Sequence, residues 1–312
     1  MDYAAANQAK ACFDNVYTAP TPHAYVAKMA QNNYEIGEQA RPYCIAATEL
    51  LSEQNGPECP VQMLDVGCSY GVGAALVKYG RHFDEMIDFF RYSAPREYRA
   101  ALAATREWLH DQDPAQLDEK MVRCIGLDSS APAIQFATDA GMLDGGLALD
   151  LENPQVQPNS AQRQILRHTN LMISTGAIGY ITDRTVGTVV GELGKEAEGE
   201  FGPVAVMTIL RMFDDAPIQA AFEQNGMKFD RVPGVMLPQR DFADDEERDG
   251  VLTVLHEKGV DTSEWEDRGK HYAELYIAAP EPAFPDVLER MLVTHAAREE
   301  DETLQPLCGA SS

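Results

Sequence analysis

The sequence predicts an α/β fold in which a mostly parallel β-sheet is covered by helices on both faces. Apolar runs of strand length alternate with helix-like segments through most of the chain. The run 204–210 is almost entirely apolar, as is typical of a strand in the middle of a parallel sheet. A glycine-containing turn separates the first predicted strand, 63–66, from a helix. In such sheets, ligands bind at the carboxyl ends of the strands.

Seven strands can be assigned along this pattern. They are predicted at 63–66, 121–127, 147–149, 171–174, 204–210, 228–237 and 271–278. Among the connecting helices, one begins at Ser130 and ends at Gly141, and another covers 216–223. A further helix follows the fourth strand and carries three apolar residues on one face, Val186, Val190 and Leu193.

The predicted sheet accounts for residues 61–280, with additional segments before, within and after it. Residues 1–60 are predicted as a helical lead that closes over the site as a lid. Residues 82–120 form a helical insert, because apolar residues recur there at helical spacing from Phe83 to Phe90. The insert either packs against the main domain, or caps the acceptor pocket or forms a dimer contact. Residues 281–312 are predicted as a C-terminal helix and an acidic tail.

Composition limits the partners. The 312 residues include 25 basic and 50 acidic ones, a net charge of −25, which repels nucleic acid and anionic membranes. No apolar run reaches the roughly 20 residues of a membrane span, and no signal peptide is recognisable. The six cysteines form no CxxC pair and accompany no histidine cluster, so no metal site is predicted. We expect a cytoplasmic, acidic protein with a small-molecule substrate, and a homodimer remains open.

The turn after the first strand has the character of a ligand site. Gly67 and Gly71 carry no Cβ, so a ligand can approach the backbone closely. A dinucleotide site would require glycines at Gly-x-Gly-x-x-Gly spacing. Ser69 and Val72 occupy the second and third of those positions. A nicotinamide oxidoreductase is therefore disfavoured.

An acidic residue lies in or after each of the first three strands. Asp65 would face an ammonium group, Asp128 could accept hydrogen bonds from two ribose hydroxyls, and Asp150 could accept from an adenine amino group. For Asp128 alone, the alternative is a helix N-cap. The predicted cofactor-binding residues are Asp65, Gly67, Cys68, Ser69, Gly71, Asp128, Ser129, Asp150, Leu151 and Ser174.

These segments resemble motifs of class I S-adenosylmethionine-dependent methyltransferases. The stretch 65–71, Asp-Val-Gly-Cys-Ser-Tyr-Gly, resembles their motif I. Residues 125–128 resemble the second acidic motif, and 149–151 the adenine-side motif. The resemblance covers roughly residues 60–280. It implies S-adenosylmethionine as the cofactor and a Rossmann-like, seven-stranded sheet whose antiparallel last strand lies beside the fifth.

Four shorter segments narrow the resemblance. Cys-Ser-Tyr-Gly at 68–71, Gly-Tyr-Ile-Thr at 179–182, Pro-Gln-Arg-Asp-Phe at 238–242 and Ala-Glu-Leu-Tyr at 273–276 resemble a group of bacterial small-molecule methyltransferases. That group is similar to bacterial methionine S-methyltransferases. The resemblance thus implies a small acceptor with a thioether sulfur.

The predicted acceptor site lacks an acid–base residue. No His or Glu follows the fourth or fifth strand directly; His271 lies at the start of the seventh strand, and only His23 in the lead is a loose candidate. A thioether has no proton to lose and needs only alignment. Tyr180 and Arg211 would provide that positioning. The predicted acceptor-binding residues are Tyr25, Tyr34, Tyr180, Arg184, Arg211 and Asp214.

In these assignments the arginines bind a carboxylate and the acid binds an ammonium group. Asp183 or Asp215 could replace Asp214, and Phe213 could add an aromatic face. Surface salt bridges are the alternative for both arginines. O- or N-methylation of a natural-product intermediate is the alternative reaction, and a non-catalytic cofactor-binding subunit is the alternative outside enzymes.

Overall fold

A seven-stranded β-sheet forms the centre of the computed structural model, which describes residues 16–56, 59–111, 122–197, 199 and 201–304. The strands are β1 (Val61–Val66), β2 (Val122–Asp128), β3 (Gly145–Ala148), β4 (Leu171–Ser174), β5 (Val204–Leu210), β6 (Met227–Asp241) and β7 (Lys270–Pro280). β1, β4 and β5 are buried at every position, which shows that both faces of the sheet are covered.

Helices connect and flank these strands. They are α1 (His23–Gln31), α2 (Ile36–Asn55), α3 (Val72–Lys78), α4 (Phe83–Asp88), α5 (Tyr98–His110), α6 (Ala131–Ala140), α7 (Ser160–Arg167), α8 (Asp183–Val190), α9 (Ala216–Glu223), α10 (Asp245–Glu257) and α11 (Phe284–Leu304). A π-helix, Phe89–Ser93, follows α4, and a 3₁₀ turn, Glu266–Arg268, precedes β7. None of the described helices is long and apolar enough to cross a membrane.

The strand order is β3-β2-β1-β4-β5-β7-β6. β7 runs antiparallel to both of its neighbours, and it pairs with β5 through positions such as Val206 and Ile277. The other described pairs, from β3 to β5, are parallel. This topology confirms the predicted sheet, including the antiparallel strand inserted beside the fifth.

Two strands differ in extent from the prediction. β3 begins at Gly145, and the next position is also glycine, where a Cβ would come within 2.4 Å of Ile134. β6 continues to Asp241 through Pro238. Proline has no backbone donor, but β6 is an edge strand and its pairing shifts register at Pro238, so the strand tolerates it.

The lead and β6 are joined by backbone hydrogen bonds. The amide of Glu35 donates to Gln239 at 2.8 Å, and the amide of Asp241 donates to Asn32 at 2.9 Å. The segment 238–242 singled out in the sequence thus holds the turn between α1 and α2. Tyr34 lies in that turn.

Two histidines considered in the sequence make structural contacts. His271 is the second residue of β7, and it is buried beside Glu247. His23 contacts the Thr21 hydroxyl at 3.0 Å and the Ala94 carbonyl at 3.2 Å. Because its ring is occupied by these structural contacts, His23 does not serve as the loose acid–base candidate.

The insert packs against the lead and α6. Phe83 lies 5.7 Å from Tyr34 by ring centroids, and Phe90 makes edge contacts with His23 and Phe136. The helix predicted from Phe83 continues as the π-helix after Asp88. No described residue of the insert lines the cavity discussed below, which favours packing over a cap.

Candidate active site

A cavity of about 370 Å³ lies at the carboxyl ends of the central parallel strands. The segments after β1, β2, β3 and β4 line it, and the N-terminal lead adds further residues. This is the volume and position expected of a small-molecule site in an open α/β sheet. The lining includes these predicted residues: Tyr25, Tyr34, Asp65, Gly67, Cys68, Ser69, Asp128, Ser129, Asp150, Leu151 and Tyr180.

The turn after β1 depends on close packing at Gly67. Its φ is +77°, and a Cβ placed there would lie 2.3 Å from the Cβ of Ala177. Ala177 belongs to the loop after β4. Gly67 therefore brings the loops of two adjacent strands into contact at the floor of the cavity.

Asp65 is a buried carboxylate at this floor. Its Oδ2 accepts a 3.2 Å hydrogen bond from the amide of Ala74, and a Cβ on Gly73 would come within 2.9 Å of the same oxygen. Burial raises the pKa of Asp65 to about 7; the Ala74 amide opposes this rise, and the charge of Asp128 adds to it. A cationic ligand group would stabilise the ionised form.

Asp128 receives hydrogen bonds from both sides of the β2 end. One oxygen accepts from the Ser69 amide and the other from the Ser130 amide, each at 2.8 Å. Burial raises the pKa of Asp128, and these amides oppose the rise. The N-cap of α6 is Ser130, whose hydroxyl accepts from Ala133. The alternative N-cap role thus belongs to Ser130, and each Asp128 oxygen retains capacity for a ligand hydroxyl.

Ser69 presents a buried polar atom to the cavity. The residue is only 6% exposed, and its hydroxyl has no hydrogen-bond partner in the described part of the chain. Such a group is costly unless a ligand or water satisfies it. Together with Asp128, it fits a polar ligand such as a ribose.

Glu152 is a cavity residue that the sequence reasoning missed. Its carboxylate accepts hydrogen bonds from the amides and hydroxyls of both Thr182 and Thr185, at the start of α8. A carboxylate at a helix N-terminus is electrostatically favourable. The signal available in the sequence was its position two residues after Asp150.

Four tyrosines form much of the remaining wall: Tyr17, Tyr25, Tyr34 and Tyr180. Burial, as the main cause, raises the pKa of Tyr17, Tyr25 and Tyr34 above the usual value. These phenols therefore stay protonated at neutral pH. Tyr17 was missed because it lies before α1, in a segment without helical or strand periodicity.

The segment with Tyr17 is attached to the cofactor-side loops. The hydroxyl of Tyr70 donates to the Ala19 carbonyl at 2.7 Å, and the Ser130 hydroxyl donates to the Tyr17 carbonyl. Burial raises the pKa of Tyr70 to about 12, while the bond to Ala19 opposes the rise. These bonds place the lead against the cavity.

Two predicted cofactor residues do not line the cavity. Gly71 instead permits helix packing, since a Cβ there would lie 2.9 Å from Leu143 and 3.3 Å from Ala137. Ser174 is fully buried, and its hydroxyl donates to the Val66 carbonyl at 3.0 Å, which ties β4 to β1. Both residues contribute to packing within the fold, and their assignment to the cofactor stays a prediction.

The predicted carboxylate and ammonium partners also lie outside the cavity lining. Arg211 points to a separate polar groove, where it binds the Glu266 carboxylate at 2.6 Å and the Asp261 carbonyl at 2.7 Å. Arg184 is exposed on α8, outside the cavity lining. Asp214 accepts from the Ala216 amide at the start of α9. The segment after β5 diverges from the cavity, and Phe213, Asp183 and Asp215 are likewise absent from its described lining.

The charged side chains described in the cavity lining are all acidic. Four carboxylates line the cavity, from Asp65, Asp128, Asp150 and Glu152. None of the lining residues within the described ranges is Lys, Arg or His. The arrangement suits ligands with cationic and hydroxyl groups.

No protein-family model and no curated protein matches this chain. Among solved structures, the plantazolicin methyltransferase BamL, in complex with a triazolic desmethylPZN analog and SAH, is similar with a TM-score of 0.41 and 13% identity; the match covers 89% of this chain and 97% of that chain. The magnesium protoporphyrin IX methyltransferase ChlM of Synechocystis PCC 6803 with bound SAH is similar with a TM-score of 0.38 and 9% identity, and the match covers 80% of this chain and 85% of that chain. The TehB-like SAM-dependent methyltransferase of Corynebacterium glutamicum ATCC 13032 Kitasato is similar with a TM-score of 0.34 and 11% identity, and the match covers 74% of this chain and 86% of that chain. Because these TM-scores lie below 0.5, the fold assignment rests on the strand order.

Proposed function

We propose that this chain is an S-adenosylmethionine-dependent methyltransferase that acts on a small molecule. The observation that carries the proposal is the convergence of Asp65, Asp128 and Asp150 on one cavity, beside the turn at Gly67. The strand order agrees with the fold that the sequence motifs imply. The unpartnered hydroxyl of Ser69 adds a site for a polar ligand group.

Each residue then has a binding role. Asp65 pairs with the cofactor ammonium, Asp128 and Ser69 bind the ribose hydroxyls, and Asp150 accepts from the adenine amino group. Leu151 offers an apolar contact to the base. When bound, the cofactor supplies an electrophilic methyl group on a sulfonium.

For the acceptor we favour the thioether sulfur of methionine or a similar amino acid. The described cavity lining contains no histidine, and the buried tyrosines hold their protons, so a nucleophile that needs no base fits best. The carboxylate of Glu152 is held by hydrogen bonds from Thr182 and Thr185, which gives it a structural role at the start of α8. Because Arg211 lies elsewhere, the acceptor's carboxylate has no identified cationic partner. O- or N-methylation of a natural-product intermediate is the alternative.

Calorimetry with S-adenosylhomocysteine and with NAD tests the cofactor assignment. We expect binding of S-adenosylhomocysteine only; selective binding of NAD would contradict the proposal. Turnover with labelled cofactor across methionine, phenols and amines then tests the acceptor. Binding without any turnover would favour a non-catalytic subunit.

The pH dependence separates acceptor classes. A thioether does not titrate between pH 6 and 9, so the rate at saturating cofactor should be nearly flat there. A phenol or amine with a pKa near 10 should react faster as the pH rises. Saturation matters because Asp65 titrates near pH 7 in the free protein. Methylation of a phenol or amine with a rising profile, and none of methionine, would refute the thioether assignment.

A further inference from the structure

The cavity combines aromatic rings with a lining whose charged side chains are all acidic. Tyr17, Tyr25 and Tyr180, here called the tyrosine cluster, all line the cavity. The rings of Tyr17 and Tyr25 lie 5.6 Å apart at 51°, and those of Tyr17 and Tyr180 lie 6.1 Å apart at 64°. The rings are inclined and not stacked in parallel, and together they line one part of the cavity, here called the enclosure.

The tyrosine cluster lies against the cofactor-side loops. The Tyr17 carbonyl accepts from Ser130, which is two residues after Asp128. Tyr180 hydrogen-bonds through its amide to the carbonyl of Ala177, the residue packed on Gly67. The cluster thus lies across the ends of β1, β2 and β4, where an acceptor would meet the cofactor.

Electrostatics in this enclosure favour a cation. The face of a tyrosine ring attracts positive charge through its quadrupole, and the attraction is strongest in desolvated sites. The phenols of Tyr17 and Tyr25 stay neutral, because burial raises their pKa. The carboxylates of the lining add negative potential, and no described lining residue is Lys, Arg or His; buried Arg240, outside the lining, contributes an opposing positive charge at Tyr17.

We infer that the tyrosine cluster is an onium-recognition site, and that the acceptor atom becomes a full cation when it receives the methyl group. The inference rests on the proposed function and specifies its substrate class. A lone pair of the acceptor atom forms the bond to the methyl carbon. The electron pair of the broken carbon–sulfur bond remains on the cofactor sulfur, which becomes a neutral thioether. No proton is released, and the positive charge passes to the acceptor atom.

This chemistry selects among acceptors. A thioether becomes a sulfonium with no proton to lose, and a tertiary amine in its deprotonated form becomes a quaternary ammonium, so both leave the charge inside the enclosure. A phenol or alcohol ends neutral after losing a proton, and gains nothing from the aromatic walls. The specificity determinant is therefore the charge formed at the reacting atom.

Two ligands of the same shape and different charge test the site without turnover. Choline and 3,3-dimethylbutan-1-ol have the same shape, but choline carries a quaternary nitrogen where the alcohol carries carbon. We measure the binding of each by calorimetry to the protein saturated with S-adenosylhomocysteine. Choline should bind at least several-fold more tightly, within the roughly 2- to 30-fold range of a cation–π contact.

Variants of Tyr180 test whether the preference for choline comes from the aromatic ring. Tyr180→Leu should reduce choline binding by a similar factor, whereas Tyr180→Phe should retain it because the ring remains. Tyr180 is 40% exposed, so its removal disturbs the fold less than removal of buried Tyr17. Tyr92→Leu, at a tyrosine that is 73% exposed and outside the cavity, is the matched control and should change nothing.

The outcomes distinguish the two proposals. If S-adenosylhomocysteine binds but choline and the neutral alcohol bind equally, or neither binds measurably, the onium site is refuted and the proposed function stands. An equal loss of choline binding in Tyr180→Phe and Tyr180→Leu also refutes it, since the ring would not be the determinant. If S-adenosylhomocysteine does not bind, the proposed function itself fails.

Discussion

The backbone amide of Ser69 donates a 2.8 Å hydrogen bond to the carboxylate of Asp128. Ser69 has a φ of +50°, an unfavourable conformation for a residue with a Cβ. The bond offsets part of that cost and joins the turn after β1 to the end of β2. Asp128 therefore shapes the cavity and also offers ligand-binding oxygens within it.

Replacing Asp128 should show how much its carboxylate contributes to ligand binding. In Asp128→Ala, binding of S-adenosylhomocysteine should weaken on the order of 1.5–3 kcal/mol, the range for hydrogen bonds to charged groups. Asp128→Asn keeps one acceptor oxygen and should lose less. Calorimetry measures both, with Glu289→Ala on the exposed face of α11 as the control. Unchanged affinity in Asp128→Ala would remove this residue from the site.

The convergence of three acids on one cavity was predictable because parallel strands impose it. Asp65, Asp128 and Asp150 lie at the ends of three neighbouring parallel strands, so any correct assignment of those strands brings them together. Arg211 was not predictable. Its partner Glu266 comes from the long connection before β7, and such a contact leaves no periodic signal in the sequence.

Side-chain direction limited the prediction as well. Ser174 lies at a strand end, but its hydroxyl bonds the neighbouring strand at Val66. Gly71 lies in the right turn, but the space that it leaves is filled by Leu143. Motif position identified both residues, whereas only the packed structure shows which way each faces.

A steric prediction concerns Gly67, with Gly141 as its control. Both have positive φ, +77° and +83°, so alanine is strained at either position. At Gly141 nothing lies within 4 Å, whereas at Gly67 the new Cβ would meet Ala177 at 2.3 Å. Gly67→Ala should therefore lower the free energy of unfolding by about 1–3 kcal/mol more than Gly141→Ala. Urea denaturation measures the difference.

The variants Gly67→Ala and Gly141→Ala should also differ in their affinity for the ligand. Gly67→Ala moves the loops at the cavity floor and should weaken binding of S-adenosylhomocysteine, while Gly141→Ala should leave it unchanged. Equal stability and equal affinity of the two variants would show that the contact between Gly67 and Ala177 is unimportant.

Arg240 and Glu247 form a buried ion pair that supports the lead. Two hydrogen bonds of 2.8 and 2.6 Å join their side chains, each 2% exposed. Burial would raise the pKa of Glu247, but the hydrogen bonds from Arg240 and His271 hold it well below the usual range. Arg240→Met should reduce the free energy of unfolding by about 3–5 kcal/mol, because it leaves a buried charge without its main partner.

An exposed arginine with two acidic partners provides the comparison for this buried ion pair. Arg248 contacts Asp245 and Asp249 at the surface, with 2.9 and 2.8 Å separations. Arg248→Met should change stability by less than about 1 kcal/mol. Thermal or urea denaturation of both variants measures the contrast, and similar effects would contradict the assigned role of the buried pair.

Asp65 should make the stability of the ligand-free protein depend on pH. Its pKa is about 7 when folded, above the ordinary value of 3.8, so the folded chain holds a proton that the unfolded chain releases between these values. The free energy of unfolding then falls as the pH rises toward 7, and levels off above it. The full effect is on the order of 2–4 kcal/mol, at about 1.4 kcal/mol for each pH unit.

The variant Asp65→Asn removes this titration and retains an oxygen for the Ala74 amide. Its stability relative to the unmodified chain should therefore increase from pH 5 to pH 7 and stay constant to pH 8, as measured by urea denaturation. A ligand ammonium favours ionised Asp65, so binding of S-adenosylhomocysteine to the unmodified chain should strengthen over the same range. In Asp65→Asn that binding should be weak and nearly independent of pH. A stability difference that does not change with pH would show that Asp65 does not titrate in this range.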